Sequence, residues 1–198
     1  MKKIAVCLSG QPRFFREGHK YLTEAFKGYD VDYFCHFWHD REQAGQKHEI
    51  HSKTNKIYSS TIEENDDKEI LDLFSPAESI IEKQIQFEDT VQLSLNNGKR
   101  KKTTQPPDVF ISMLYSRYQA GDLLRQHIKK NGNNYDLAVW TRTDFAPLGL
   151  LINEVSSSEV YHTGYAPGSH WNKSVTTTSF HASSVENILY YLNLFKFI

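Results

Sequence analysis

Charge of one sign is missing from this chain, with 23 Lys and Arg against 24 Asp and Glu and a formal net charge of −1. So even a balance gives no long-range field to gather DNA, RNA or an anionic membrane, which argues against a general nucleic-acid binder. Cysteine is scarce. The two present, Cys7 and Cys35, lie in apolar runs where a free thiol packs as a small hydrophobe, which points away from a disulfide and toward a reducing, cytoplasmic setting. Long hydrophobic runs are also lacking. Met1-Lys2-Lys3 leads into a brief apolar stretch that stops at Ser9, too short for a signal peptide or for the roughly 20 residues of a membrane span. The expectation is a chain that starts as written and has no transmembrane segment. The apolar residues from Ile188 to Ile198 are likewise too few to cross a bilayer and read as a docked terminal helix. There is no Gly-x-Gly-x-x-Gly, no phosphate loop of the Gly-Lys-Ser type and no Gly-x-Ser-x-Gly, which lowers dehydrogenase, NTPase and hydrolase readings.

What the chain does contain is a succession of short apolar runs separated by helical patterns. Its 198 residues suit one domain, residues 1–198, whose core can bury roughly 70% of the unfolded surface. Lys3 to Leu8 is continuously apolar after the lysine and is halted by Ser9-Gly10-Gln11-Pro12, the pattern of a strand buried on both faces of a parallel sheet. Tyr21, Leu22, Ala25 and Phe26 recur at helical spacing, Gly28 stands where helices end, and Val31 to Trp38 reads as a second strand. From His39 to Ser60 the sequence is polar without a sustained period and reads as a long excursion or lid. Lys68 to Phe74 has room for a short helix stopped by Ser75-Pro76, and Ile80, Ile81, Ile85 and Phe87 suggest another strand.

Val91 to Leu95, the Asn96-Asn97-Gly98 turn and Lys99 to Thr104 read as a small β-hairpin insertion whose basic tip is solvated. Pro106-Pro107-Asp108 starts a long helix striped by Val109, Ser112, Met113, Ser116, Ala120, Leu123, Leu124 and Ile128 and ended by Asn131-Gly132. Tyr135 to Trp140 is a third buried strand. Strand candidates at Glu159 to Thr163 and Ser174 to His181 precede the final helix. The fold class this predicts is α/β, a Rossmann-like domain with a mostly parallel sheet flanked by helices.

Ligands of open α/β sheets bind beyond the carboxyl ends of the strands, so the strand exits hold the candidate residues. The first exit offers Ser9, Gly10, Gln11 and Arg13: a hydroxyl, a glycine, an amide and a fixed cation, suited to a nucleotide or simply to turning the chain. The third offers Arg142 and Asp144, two residues apart and therefore directed to the same side. Asp144 could give an oxygen to a divalent ion that bridges a diphosphate while Arg142 stabilises the departing charge; the alternative is a structural ion pair. His48 and His51 at helical spacing, or Cys35 with His36 and His39, are weaker metal candidates. No Asp or Glu lies between Glu159 and Glu186 to act as base, which directs attention to His170 and His181 and to a retaining mechanism.

The stretches Ile4 to Phe15, Val31 to Trp38, Glu82-Lys83-Gln84, Ser112 to Ser116 and Tyr135 to Asp144 together resemble glycosyltransferases of the GT-A fold, more closely a set of small viral and bacterial sugar-transferase-like proteins. The resemblance implies hexosyltransferase-like transfer from a nucleotide-diphosphate sugar donor to a glycan or other hydroxyl acceptor, with Mn or Mg as the accompanying ion. It assigns donor contacts to Ser9, Gly10, Gln11, Arg13 and His36, catalysis to Asp144 and Arg142, and the ion to Asp144. Two departures stand out. Arg142 replaces the first acid of an Asp-x-Asp, and Trp140 stands where relatives tend to carry another arginine. They keep open the alternative of a noncatalytic carbohydrate- or protein-binding module on a transferase scaffold.

Overall fold

A computed structural model describes residues 1–51, 57–87, 107–144, 161–162, 180–193 and 196. Strand β1 (Lys3–Gly10) is central because nothing on it needs water: Ile4, Ala5, Val6, Cys7 and Leu8 are all fully buried. Alternation splits them. Ile4, Val6 and Leu8 pack with Phe15, Leu22, Ile70 and Phe74 on one face, while Ala5 and Cys7 pack with Ala120, Leu124 and Ile188 on the other. Helices α1 (Phe15–Ala25) and α2 (Asp66–Phe74) cover the first face, and α3 (Pro107–Asn131) and α4 (Val185–Leu192) the second.

The sheet has six strands in the order β5-β2-β1-β6-β8-β7. Strands β2 (Asp30–Trp38), β5 (Glu78–Glu82) and β6 (Leu137–Thr141) run parallel to their neighbours, and β8 (Phe180–Ser183) returns antiparallel beside β6, with β7 (Tyr161–His162) antiparallel beyond it. This is the α/β arrangement with a mostly parallel, helix-flanked sheet that the apolar runs predict. The chain builds outward from β1 through β2 to β5 on one side. It then crosses through α3, on the opposite face, to β6 on the other side.

Two expectations are corrected. The polar excursion contains a second, two-stranded sheet, with β3 (Lys47–His51) antiparallel to β4 (Ile57–Thr61). These strands are short and mostly polar, so they lack the long apolar alternation by which a strand is recognised in sequence. Second, β5 ends at Glu82, and Ile85 beyond it is 40% exposed rather than part of a strand. The antiparallel strand near the end, Phe180–Ser183, overlaps the run expected at Ser174 to His181, of which residues 174–179 lie outside the described residues, and Ser184 caps the helix after it by accepting a bond from the Asn187 N–H at 3.2 Å. The hairpin expected at 91–104 lies outside the described residues.

Candidate functional site

The chain order fixes where a ligand site belongs. Connections from β1 run toward β2, whereas its other neighbour β6 is reached by the crossover through α3, so the connections diverge between the carboxyl ends of β1 and β6, the place where open α/β sheets bind ligands. The two loops touch. The Thr143 hydroxyl donates to the Arg13 carbonyl at 3.0 Å, and a Cβ at Gly18 would stand 1.7 Å from the Thr143 carbonyl oxygen, so α1 packs on the β6 exit only because residue 18 has no side chain. Phe14, between Arg13 and α1, has φ 50°, a left-handed backbone that costs a bulky L-residue about 1–2 kcal/mol. Gly10 has φ +107°, which a glycine adopts without that cost.

At the β6 exit, Arg142 donates through Nε to Asp144 Oδ1 at 2.7 Å and through Nη2 to Oδ2, a bidentate pair in which the Asp144 side chain is only 5% exposed. Arg13 lies close to this pair. Burial lowers its pKa, the Asp144 charge works against that, and the Arg142 charge adds to the lowering. Its Nε and Nη2 both donate to Gln11 Oε1, the former at 2.9 Å. A third guanidinium stands behind them. Arg117 of α3 is buried, sits 4.0 Å from the Trp140 ring centroid and donates to the Tyr191 hydroxyl at 3.0 Å. Burial lowers its pKa, Tyr191 opposes this, and Arg142 again adds to the lowering. Three arginines that sense Asp144 or one another thus gather at one strand end, and they make a positive locus suited to an anion.

Ser9 and His36, to which the resemblance assigns donor contacts, are both buried. Ser9 is 4% exposed and its Oγ accepts the Trp140 Nε1 proton at 2.8 Å. His36 is wholly buried, with Nδ1 2.7 Å from Ser116 Oγ and Nε2 2.9 Å from Glu82 Oε1. Burial lowers its pKa against the opposing pull of Glu82, and the Ser116 hydroxyl that faces Nδ1 also donates to the His36 backbone carbonyl at 3.2 Å. The Ser116 hydroxyl in turn accepts the Gly10 N–H at 2.8 Å. Ser116 is itself fully buried, so this serine, histidine and glutamate set the shape of the β1 exit and present no nucleophile to solvent. Ser9 and His36 are thus buried under the strand exits at which Gly10, Gln11, Arg13, Arg142 and Asp144 stand.

The donor set does not form a ready cation site. Asp144 has both oxygens engaged by Arg142, and among the described residues there is no group of three or more His, Cys, Asp or Glu that could hold a metal. His48 and His51 lie in a strand, not on a helix, and Cys35 packs in the core on the α1 side, away from the His36 network. His170 and Thr176 to Thr178 lie outside the described residues. Arg117 was not among the residues singled out from sequence, although its position was a signal: it stands four residues after Met113 and three before Ala120, a charge on an otherwise apolar stripe. Among the described residues no helix is long and apolar enough to cross a membrane.

A scan of protein-family models gives no match to this chain, and a comparison with curated proteins gives none either.

Proposed function

We propose that the chain is a glycosyltransferase of the GT-A type that holds the diphosphate of a nucleotide-sugar donor between the β1 and β6 exits. The observation that carries this reading is the convergence of Arg13 with the Arg142–Asp144 pair at the point where the strand connections diverge. When the bond from the anomeric carbon to the distal phosphate oxygen breaks, the electron pair leaves with the diphosphate. Fixed guanidinium groups, already oriented by Gln11 and Asp144, stabilise that charge without having to reorganise. The acceptor hydroxyl oxygen forms the new bond to the anomeric carbon, and its proton passes to the oxygen of the departing diphosphate. No step in this account runs through a metal, because Asp144 would first have to leave Arg142.

Calorimetry with uridine, guanosine and cytidine diphosphates tests the reading. One of the three is expected to bind, and Arg13→Ala to weaken it roughly tenfold to a hundredfold, since a hydrogen bond to a charged group contributes about 1.5–3 kcal/mol. Absence of binding by all three, with or without manganese, would reject it. The closure of Asp144 on Arg142 favours a second reading, a noncatalytic carbohydrate-binding module on the same scaffold. That reading predicts glycan retention on an array with no nucleotide requirement and no donor hydrolysis.

A further inference from the structure

A series of hydrogen bonds joins the surface at β5 to the β1 exit through the buried Ser116 of α3. Glu82 Oε1 stands 2.9 Å from His36 Nε2, His36 Nδ1 stands 2.7 Å from Ser116 Oγ, and that Oγ accepts the Gly10 N–H at 2.8 Å. The same hydroxyl lies 3.2 Å from the His36 carbonyl oxygen, a second acceptor for its proton. One end of the series meets water. His36 and Ser116 are fully buried, whereas the Glu82 side chain is 34% exposed and lines an open groove with His39, Leu71, Ile81 and Lys83.

Proton count allows two arrangements. A hydroxyl carries one proton, and a ring nitrogen does not face an oxygen at 2.7 Å without a proton between them. When the Ser116 proton points to Nδ1, one ring proton suffices, at Nε2 toward Glu82. When it points to the carbonyl, Nδ1 must carry its own proton, and the contact with Glu82 needs another, on the ring or on the carboxylate. The second arrangement therefore holds one proton more than the first, wherever in the His36–Glu82 pair that proton sits. The difference is felt at Gly10. In the first arrangement Ser116 Oγ accepts from Gly10 alone, whereas in the second it also accepts from Nδ1–H, and sharing its lone pairs weakens the Gly10 bond.

We propose that Glu82, His36 and Ser116 form a one-proton switch that couples acidity at the β5 surface to the β1 exit, with Gly10 held more tightly in the proton-poor arrangement. The groups around the ring set its midpoint. Burial disfavours the charged ring and is the larger effect, Glu82 of β5 favours it, and together they bring the His36 pKa below its ordinary value of 6.5. Trp38 of β2 and Tyr115 of α3 meet the ring edge-on at 4.8 and 5.7 Å, and burial raises the Tyr115 pKa, which keeps that phenol neutral. Ser9 of β1 pairs with His36 in register, but its hydroxyl is turned to Trp140. The switch requires no ligand, so it stands apart from the transferase reading.

The test is NMR on the full chain from about pH 4.5 to 8, following the His36 ring nitrogens and the Gly10 amide in the same samples. Both are expected to move with one shared midpoint below about pH 6.5, the Gly10 amide proton shifting upfield as the pH falls. Glu82→Gln, at the exposed end, should lower that midpoint by at least about half a unit, since the charged ring loses its carboxylate. Ser116→Ala should leave the ring titrating while the Gly10 amide no longer follows. A ring that takes up no proton over this range, a Gly10 amide that stays still while the ring titrates, one that follows the ring unchanged in Ser116→Ala, or a midpoint unmoved in Glu82→Gln would overturn the switch. If Ser116→Ala does not fold, the shared midpoint in Glu82→Gln decides.

Discussion

Ser116 shows how one hydroxyl on a helix can shape a loop it does not belong to. It accepts the Gly10 N–H, faces the His36 ring and is fully buried, so its loss leaves a backbone donor and a ring nitrogen without their partner. Ser116→Ala should therefore cost about 1–3 kcal/mol in urea denaturation and loosen the β1 exit, with weaker nucleotide binding in the same preparation. An unchanged unfolding midpoint would mean that Gly10 is held by something else. Arg142 and Asp144 teach a complementary point. Their spacing correctly puts them on one side, and that same proximity lets them close on each other.

Among the elements, α1 governs how the two exits meet. Gly18 lets the helix lie against the Thr143 carbonyl, with backbone on both sides of the contact and no flexible side chain to give way. Gly18→Ala is expected to destabilise the fold by about 3 kcal/mol, the upper part of the overpacking range, and to abolish nucleotide binding by separating the two exits. Gly121→Ala serves as its comparison. There the new methyl meets the Leu192 side chain at 2.9 Å, which can give way where backbone cannot, so a smaller stability loss with binding retained is expected. Denaturation and calorimetry on both variants check the pair. Ion pairs from Arg16 to Asp66 and Glu69 also tie α1 to α2 in one layer.

The whole sheet is asymmetric along its strands. At the amino end, Lys3 of β1 holds Asp32 of β2 at 2.8 Å, and the Tyr135 hydroxyl, just before β6, donates to the same carboxylate at 2.7 Å. One acid clasps three neighbouring segments. Burial pushes the Asp32 pKa up, but the hydrogen bonds from Lys3 and Tyr135 and the Lys3 charge outweigh it and leave the carboxyl below its ordinary value. A depressed carboxyl pKa contributes stability that is fully present above the unfolded value, about 3.9, and is lost as pH falls through the folded value. Stability should thus decline below about pH 4, and Asp32→Asn should flatten that decline. Equal acid sensitivity in the two proteins, by denaturant midpoints from pH 2 to 6, would remove the clasp from the account. The carboxyl end is tied by other bonds, Trp140 to Ser9 and Ser116 to both Gly10 and His36, and it is where the arginines lie.

What the sequence determines by itself is the set of elements whose burial is complete. An unbroken apolar run such as Ile4 to Leu8 has no face to show to water, and a stripe such as that of α3 has one face to hide, so each is legible from a few residues. The β3 and β4 pair is not, because its short polar strands are held by each other and carry little hydrophobic pattern. Candidate residues at the exits of β1 and β6 are legible for a related reason: polar residues following a buried strand must emerge at its end. Which of them face a ligand is decided only in three dimensions. The tertiary structure turns Ser9 onto Trp140 and His36 onto Ser116, closes Asp144 on Arg142 and brings Arg117 to them from another element. Hydrogen-bond partners distant in sequence set these outcomes, and pattern along the chain does not encode their pairing.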